Sequence, residues 1–189
     1  MRDFTAELLS EGHNDVSIEP ELQNVTGERL EQASTNVNNA RVDVAARGFW
    51  VRGQMAYFDI KVFNPTAKVY LNQSLKAAHK SNEQAKKRSY NKRINHIDQG
   101  TFTPLVFICF DGIARECSTF FNRLAEKIAD KRNVPISKMK NWIRTRINFH
   151  LLRCQILCLR GSRSIRRPEI PAVVDTDVSL VVEEGKIYV

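Results

Sequence analysis

The sequence predicts an α/β fold, and three stretches carry that prediction. Residues 42–63 pattern as a β-hairpin, residues 75–98 as a long helix and residues 102–110 as a buried strand, so strands and helices interleave along the chain. Two further helical patterns, from Arg115 and from Ser137, extend that core.

The first element is a helix. Asp3 to Glu11 sets Phe4, Leu8 and Leu9 at helical spacing with acidic residues early, and Gly12 ends the pattern. It starts so close to Met1 that a longer parent chain is an expectation. Val16 to Leu22 alternates as a short strand before Pro20, and Gln23 to Ala40 is a long polar connection, of the kind that is functional or mobile inside a compact domain.

The hairpin organises the rest of the chain. Its first arm, Val42 to Trp50, leads through the turn-forming Val51-Arg52-Gly53-Gln54 to a second arm, Ala56 to Phe63, both rich in Val, Phe, Tyr and Ile. Alternation puts Asp59 and Lys61 on one face of the second arm, with Phe58, Ile60 and Val62 on the other. Pairing across the turn brings Asp43 within reach of Asp59. Two carboxylates and an amine so placed suit Mg²⁺, which keeps several waters and takes one or two protein carboxylates plus phosphate oxygens. Lys61 is then positioned to hold the attacking water or to stabilise charge on the phosphate. The competing reading is an ion pair on the solvated face of a sheet.

Asn64-Pro65-Thr66 stops the strand, and Leu75 to Asp98 comes next as a helix with Ala77, Ala78, Ala85, Tyr90, Ile94 and Ile97 as its apolar positions. Seven basic residues in it face only Glu83 and Asp98. Like charges at one-turn spacing oppose the helix unless a polyanion is the partner, so this helix is a candidate phosphate-binding wall. Phe102 to Phe110 is nearly continuous apolar sequence and is expected to be buried on both faces, with Asp111-Gly112 closing it. Arg115 to Asn133 places Phe120, Phe121, Leu124 and Ile128 on one side. Ser137 to Leu159 carries a core stripe of Met139, Ile143, Ile147, Leu151 and Cys158, and a basic flank of Lys138, Lys140, Arg144, Arg146 and Arg153. Trp142 on that flank is expected to be a partly buried anchor.

Val42-Asp43 followed by Asp59-Ile60-Lys61 resembles the PD-(D/E)xK nuclease superfamily, the restriction-endonuclease-like fold, over most of residues 1–112. The resemblance implies a core of helix, three-stranded meander, helix and strand, here with additional C-terminal helices. It implies that Asp43 and Asp59 bind Mg²⁺, with Mn²⁺ as a substitute, and that Lys61 is catalytic. A Glu of the first helix often joins the metal in that family, which points to Glu7, with Glu11 and Glu19 as rivals. It also makes Lys87 and Tyr90 plausible contacts to the cleaved strand, among Lys80, Arg88 and Lys92 on the same helix. Val42 stands where the family's name-giving Pro would be, and Asp59 is Asp where Glu is commoner. The chain also looks like segments found with reverse transcriptases in animal mobile elements.

Length and charge bound the remainder. At 189 residues, 42% of them hydrophobic, the chain suits one domain with a substantial core. The expected division is a core over 1–112, a helical extension over 113–160, a basic arm over 160–167 containing Arg160 and Arg163, and an acidic tail over 168–189. A net charge of +8 and a pI near 9.5 favour a polyanionic partner, and the nuclease resemblance implies DNA more than RNA. The charge is segregated: residues 1–40 carry two basic and eight acidic residues, whereas residues 138–167 carry nine basic and no acidic ones.

Cys109, Cys117, Cys154 and Cys158 show no C-x2-C spacing and are expected to be reduced core residues, which fits a nuclear or cytoplasmic location. No signal peptide and no long apolar run is evident, so no membrane association is expected. No phosphate-binding Gly-rich loop and no Ser-His-Asp or H-E-x-x-H arrangement occurs. The function expected is a Mg²⁺-dependent DNA endonuclease, and the likeness to mobile-element segments implies one encoded by such an element. The alternatives are a nuclease-like nucleic-acid-binding module without chemistry, and an assembly domain that packs on an acidic protein. Oligomeric state is not readable from these residues.

Overall fold

The computed structural model of the chain describes residues 1–23, 41–110 and 112–161, with side chains up to residue 157. The connection expected at 24–40, Asp111, Arg163 of the basic arm and the acidic tail lie outside the described residues. The elements are α1 (Arg2–Gly12), β1 (Val16–Ile18), β2 (Val44–Arg47), β3 (Met55–Phe63), α2 (Leu75–His96), β4 (Thr101–Ile108), β5 (Gly112–Ile113), α3 (Arg115–Arg132) and α4 (Ile136–Gly161). They form a mixed α/β fold around one open sheet in the order β1-β2-β3-β4-β5. The first three strands are antiparallel neighbours, β4 runs parallel to β3 after the α2 crossover, and β5 returns antiparallel to β4.

The hairpin departs from expectation in its first arm. The strand ends at Arg47 because Gly48 takes a left-handed backbone (φ 74°) and its N–H bonds the Gln54 carbonyl at 2.7 Å, closing the turn early. Phe49 and Trp50, which pattern as strand residues, therefore leave the sheet and plug the core. Phe49 packs against Phe58 and Phe120 at ring distances of 5.2 and 4.8 Å, and Trp50 Nε1 donates to Thr103 Oγ1 at 2.9 Å.

β4 is buried along all but its first residue, as the apolar run predicts. Pro104 sits mid-strand without disrupting it. Ala114 N donates to the Val106 carbonyl and Cys109 N to the Phe63 carbonyl, so even-numbered groups of β4 point away from β3. The N–H that Pro104 lacks thus faces the edge of β4 that two-residue β5 does not reach and that no other described strand pairs with. β5 itself is a strand the sequence pattern does not disclose.

α1, α3 and α4 bury one face of the sheet in a core that includes Phe4, Leu8, Phe58, Leu105, Phe107, Phe120 and Leu124. Met139, Ile143, Ile147 and Leu151 of α4 join that core as predicted, while Trp142 is partly buried. α2 covers the other face, against Tyr57 and Phe102. Of its six expected apolar positions only Ala78 and Ile94 are buried; Ala77 is exposed and Ala85, Tyr90 and Ile97 are half-buried, and the burial is completed by Asn82 and Arg93. Cys117 is buried, but Cys109, in the turn after β4, and Cys154 of α4 are only half-buried; Cys158 has no described side chain. No helix among the described residues is long and apolar enough to cross a membrane.

Candidate functional site

β3 is the central strand, and Asp59 lies at its middle, 5 % exposed beneath α2. Alternation puts Tyr57, Asp59 and Lys61 on the α2 side, as expected. The β2–β3 register pairs Val44 with Phe58, so Asp43, one step beyond the last pair, comes opposite Asp59. Its Oδ2 accepts the Ile60 N–H at 2.6 Å, which fixes the carboxylate against β3 next to Asp59. The two acids repel: the Asp43 charge helps raise the Asp59 pKa, and Lys61 works the other way.

The dominant partner of Asp59 is one that the sequence pattern does not single out. Lys86, on α2, places Nζ 2.6 Å from Asp59 Oδ2, with both side chains largely removed from water. Burial pushes the Asp59 carboxyl above its ordinary value, against the pull of Lys86. Burial also opposes the Lys86 charge, but the Asp59 carboxylate outweighs it, and the ammonium is held above the ordinary lysine value. The Lys86 ammonium lies 5.7 Å from the Tyr90 ring, and Tyr90 in turn packs on Phe102 at 5.4 Å. Burial raises the Tyr90 phenol pKa, with the Asp59 and Asp43 charges adding to it. Lys86 is one of seven cations in α2, and only the packing of α2 across β3 distinguishes it from the rest.

The other predicted residues separate. Glu7 does not join the acids: it is exposed on α1, where its charge acts on His150 of α4. An α1 Glu fails here because α1 packs on the face opposite Asp59. Glu11 pairs with Arg132 at 2.5 Å. Glu19 comes nearest, since its N–H bonds the Asp43 carbonyl at 2.9 Å, but its carboxylate pairs with Arg2. Among the described residues no group of three or more His, Cys, Asp or Glu side chains is placed to hold a metal. Any ion here would rest on two carboxylates, with water and phosphate oxygens completing its shell, an arrangement that fits Mg²⁺.

The basic wall is smaller than the charge count suggests. Lys86 is spent on Asp59 and Lys87 on Glu116 at 2.6 Å, while Arg93 is 5 % exposed and donates to the Leu22 and Gln23 carbonyls. Lys80, Arg88 and Lys92 are exposed, and Tyr90 is half-buried against Phe102. Arg160 falls in the last turn of α4, not in an arm beyond it, and its side chain is outside the described set.

Glu83, also on α2, has a structural role. α3 begins at Ala114, which has no capping side chain, and Glu83 Oε1 instead accepts the Glu116 N–H at 3.2 Å. Helix α2 is thereby tied to the helix on the opposite side of the sheet.

Against protein-family models, curated proteins and solved structures, the chain matches none.

Proposed function

We propose that the chain hydrolyses phosphodiester bonds in DNA with Mg²⁺ or Mn²⁺ at Asp43 and Asp59, on a restriction-endonuclease-like core. The observation that carries this reading is the convergence of two carboxylates across the β2–β3 pair, one of them buried and already satisfied by a cation. A divalent ion bound there polarises a phosphoryl oxygen and lowers the pKa of bound water. Asp43, braced by the Ile60 amide, and Asp59, braced by the sheet, supply preorganised negative charge. Lys61 shares their face and orients the water or stabilises the charge that develops on phosphate. Lys86 neutralises Asp59 in the resting site, and it would be available to a substrate phosphate if a divalent ion took its place there. Lys80, Arg88 and Lys92 hold the backbone of the strand, a contact that weakens with salt.

Purified protein is expected to nick plasmid DNA in Mg²⁺, and Asp59→Ala and Lys61→Ala are each expected to remove the nicking. Nicking that persists in both variants overturns the reading. A second reading, a DNA-binding module without chemistry, is favoured by the Asp59–Lys86 pair itself, because an internal ammonium can replace a metal permanently. It predicts salt-sensitive binding that is unaffected by EDTA, and no cleavage with any divalent ion.

A further inference from the structure

A separate cleft lies where β5 meets the groove between α3 and α4, on the side of the sheet away from α2. Its volume, about 360 Å³, is that of a small-molecule site. The floor is apolar, formed by Phe121, Ile143 and Ile147, each at most 5 % exposed. Its walls are polar. Asn122 of α3 and Asn141 and Asn148 of α4 supply three amides, Lys140 and Arg144 supply two cations, and among the described residues no carboxylate lines it.

Helical spacing builds this arrangement. Lys140, Arg144 and Asn148 recur one turn apart along one stripe of α4, beside the Ile143–Ile147 stripe that enters the core. Two of these groups lack what they ordinarily hold. Asn148 has an amide oxygen shielded from solvent that accepts no hydrogen bond among the described residues, and Arg144 is exposed with no carboxylate partner among them. Lys140 is only loosely engaged, 3.9 Å from Glu126.

We propose that this cleft binds a nucleotide: a flat heterocycle over Phe121 and the two isoleucines, its polar edge on the amides of Asn122, Asn141 and Asn148 and its phosphate on Arg144. A planar apolar face, an edge with both donors and acceptors, and an adjacent anion are the three properties the floor, the amides and the cations select together. A fatty or purely apolar ligand leaves the amides and Arg144 unpaired, and a simple anion leaves the floor bare. The nucleotide is either free or an unpaired unit of a strand, and the chemistry at the cleft is the same for both. This site needs no metal and does not rest on the hydrolytic reading.

The test uses the full chain in EDTA, so that loss of cleavage does not affect it. Adenosine monophosphate is titrated by calorimetry, and a fluorescently labelled single-stranded oligoadenylate by anisotropy. Binding of adenosine monophosphate itself identifies a free nucleotide as the ligand; binding of the oligonucleotide alone identifies an unpaired unit of a strand. In either case Arg144→Ala and Asn148→Ala each weaken binding about tenfold, the loss expected for one hydrogen bond to a charged or buried group, with unchanged circular dichroism. The proposal is overturned if neither probe binds, if both variants bind like the wild type, or if blunt duplex binds as well as the single strand with no dependence on Asn148.

Discussion

Adjacent residues of β3 enter opposite environments. Phe58 points into an aromatic cluster with Phe49 and Phe120, at ring distances of 5.2 and 4.7 Å, sealed by three helices. Asp59, next along the strand, meets the Lys86 ammonium under a single helix whose buried positions are half polar. The first face is held by non-directional burial, which tolerates small shifts. The second is held by charge pairs, whose geometry must be right for burial of the ions to be repaid. Concentrating the apolar burial on one side leaves the other free to carry groups that cost stability.

Breaking the aromatic side has the largest effect. Phe120→Ala removes the ring shared by Phe49, Phe58 and Phe121, and is expected to cost about 3–5 kcal/mol in urea unfolding. A loss below that of a half-exposed side chain would show that this face is not the principal core.

Lys86→Met comes next, at about 2–3 kcal/mol near neutral pH, because it leaves Asp59 buried without its cation. Its pH dependence has a definite sign. Burial already raises the folded-state Asp59 pKa, and loss of Lys86 raises it further. A raised carboxyl pKa contributes stability that is present below the unfolded value, near 3.8, and is lost as pH rises through the folded value. The variant's deficit is therefore larger at neutral pH and shrinks in acid. A deficit that stays constant down to the ordinary aspartate range would mean that Asp59 is solvated.

The smallest effect sharpens the link between the two faces. Glu83→Ala removes the acceptor at the start of α3 and is expected to cost about 1 kcal/mol. Glu83→Gln keeps an acceptor and, since burial disfavours the Glu83 charge, should cost close to nothing by the same unfolding measurement. Equal losses in both variants would transfer the role from the hydrogen bond to the charge.

Much of this fold is legible in the chain. Period-two alternation in β3, the uninterrupted apolar run of β4, and the apolar stripes of α3 and α4 each arise from local periodicity, and each element lies within a few residues of its expected bounds. The nearness of Asp43 to Asp59 is readable too, because a hairpin register is a local property. Phe49 and Trp50 are misplaced for want of the Gly48 backbone conformation. Glu7 is misplaced because the side on which α1 packs is set by the whole core.

What the sequence determined by itself is the succession of elements and the position of two acids and Lys61 along two neighbouring strands, since turns and alternation act over a few residues. Only the tertiary structure decided which of the α2 cations are committed internally and which are left exposed. Lys86, Lys87 and Arg93 are like Lys80, Arg88 and Lys92 in the sequence, and differ only in meeting Asp59, Glu116 and the Leu22 and Gln23 carbonyls. Those partners lie far along the chain, and a charge acquires its role from the groups that folding brings within a few ångströms of it.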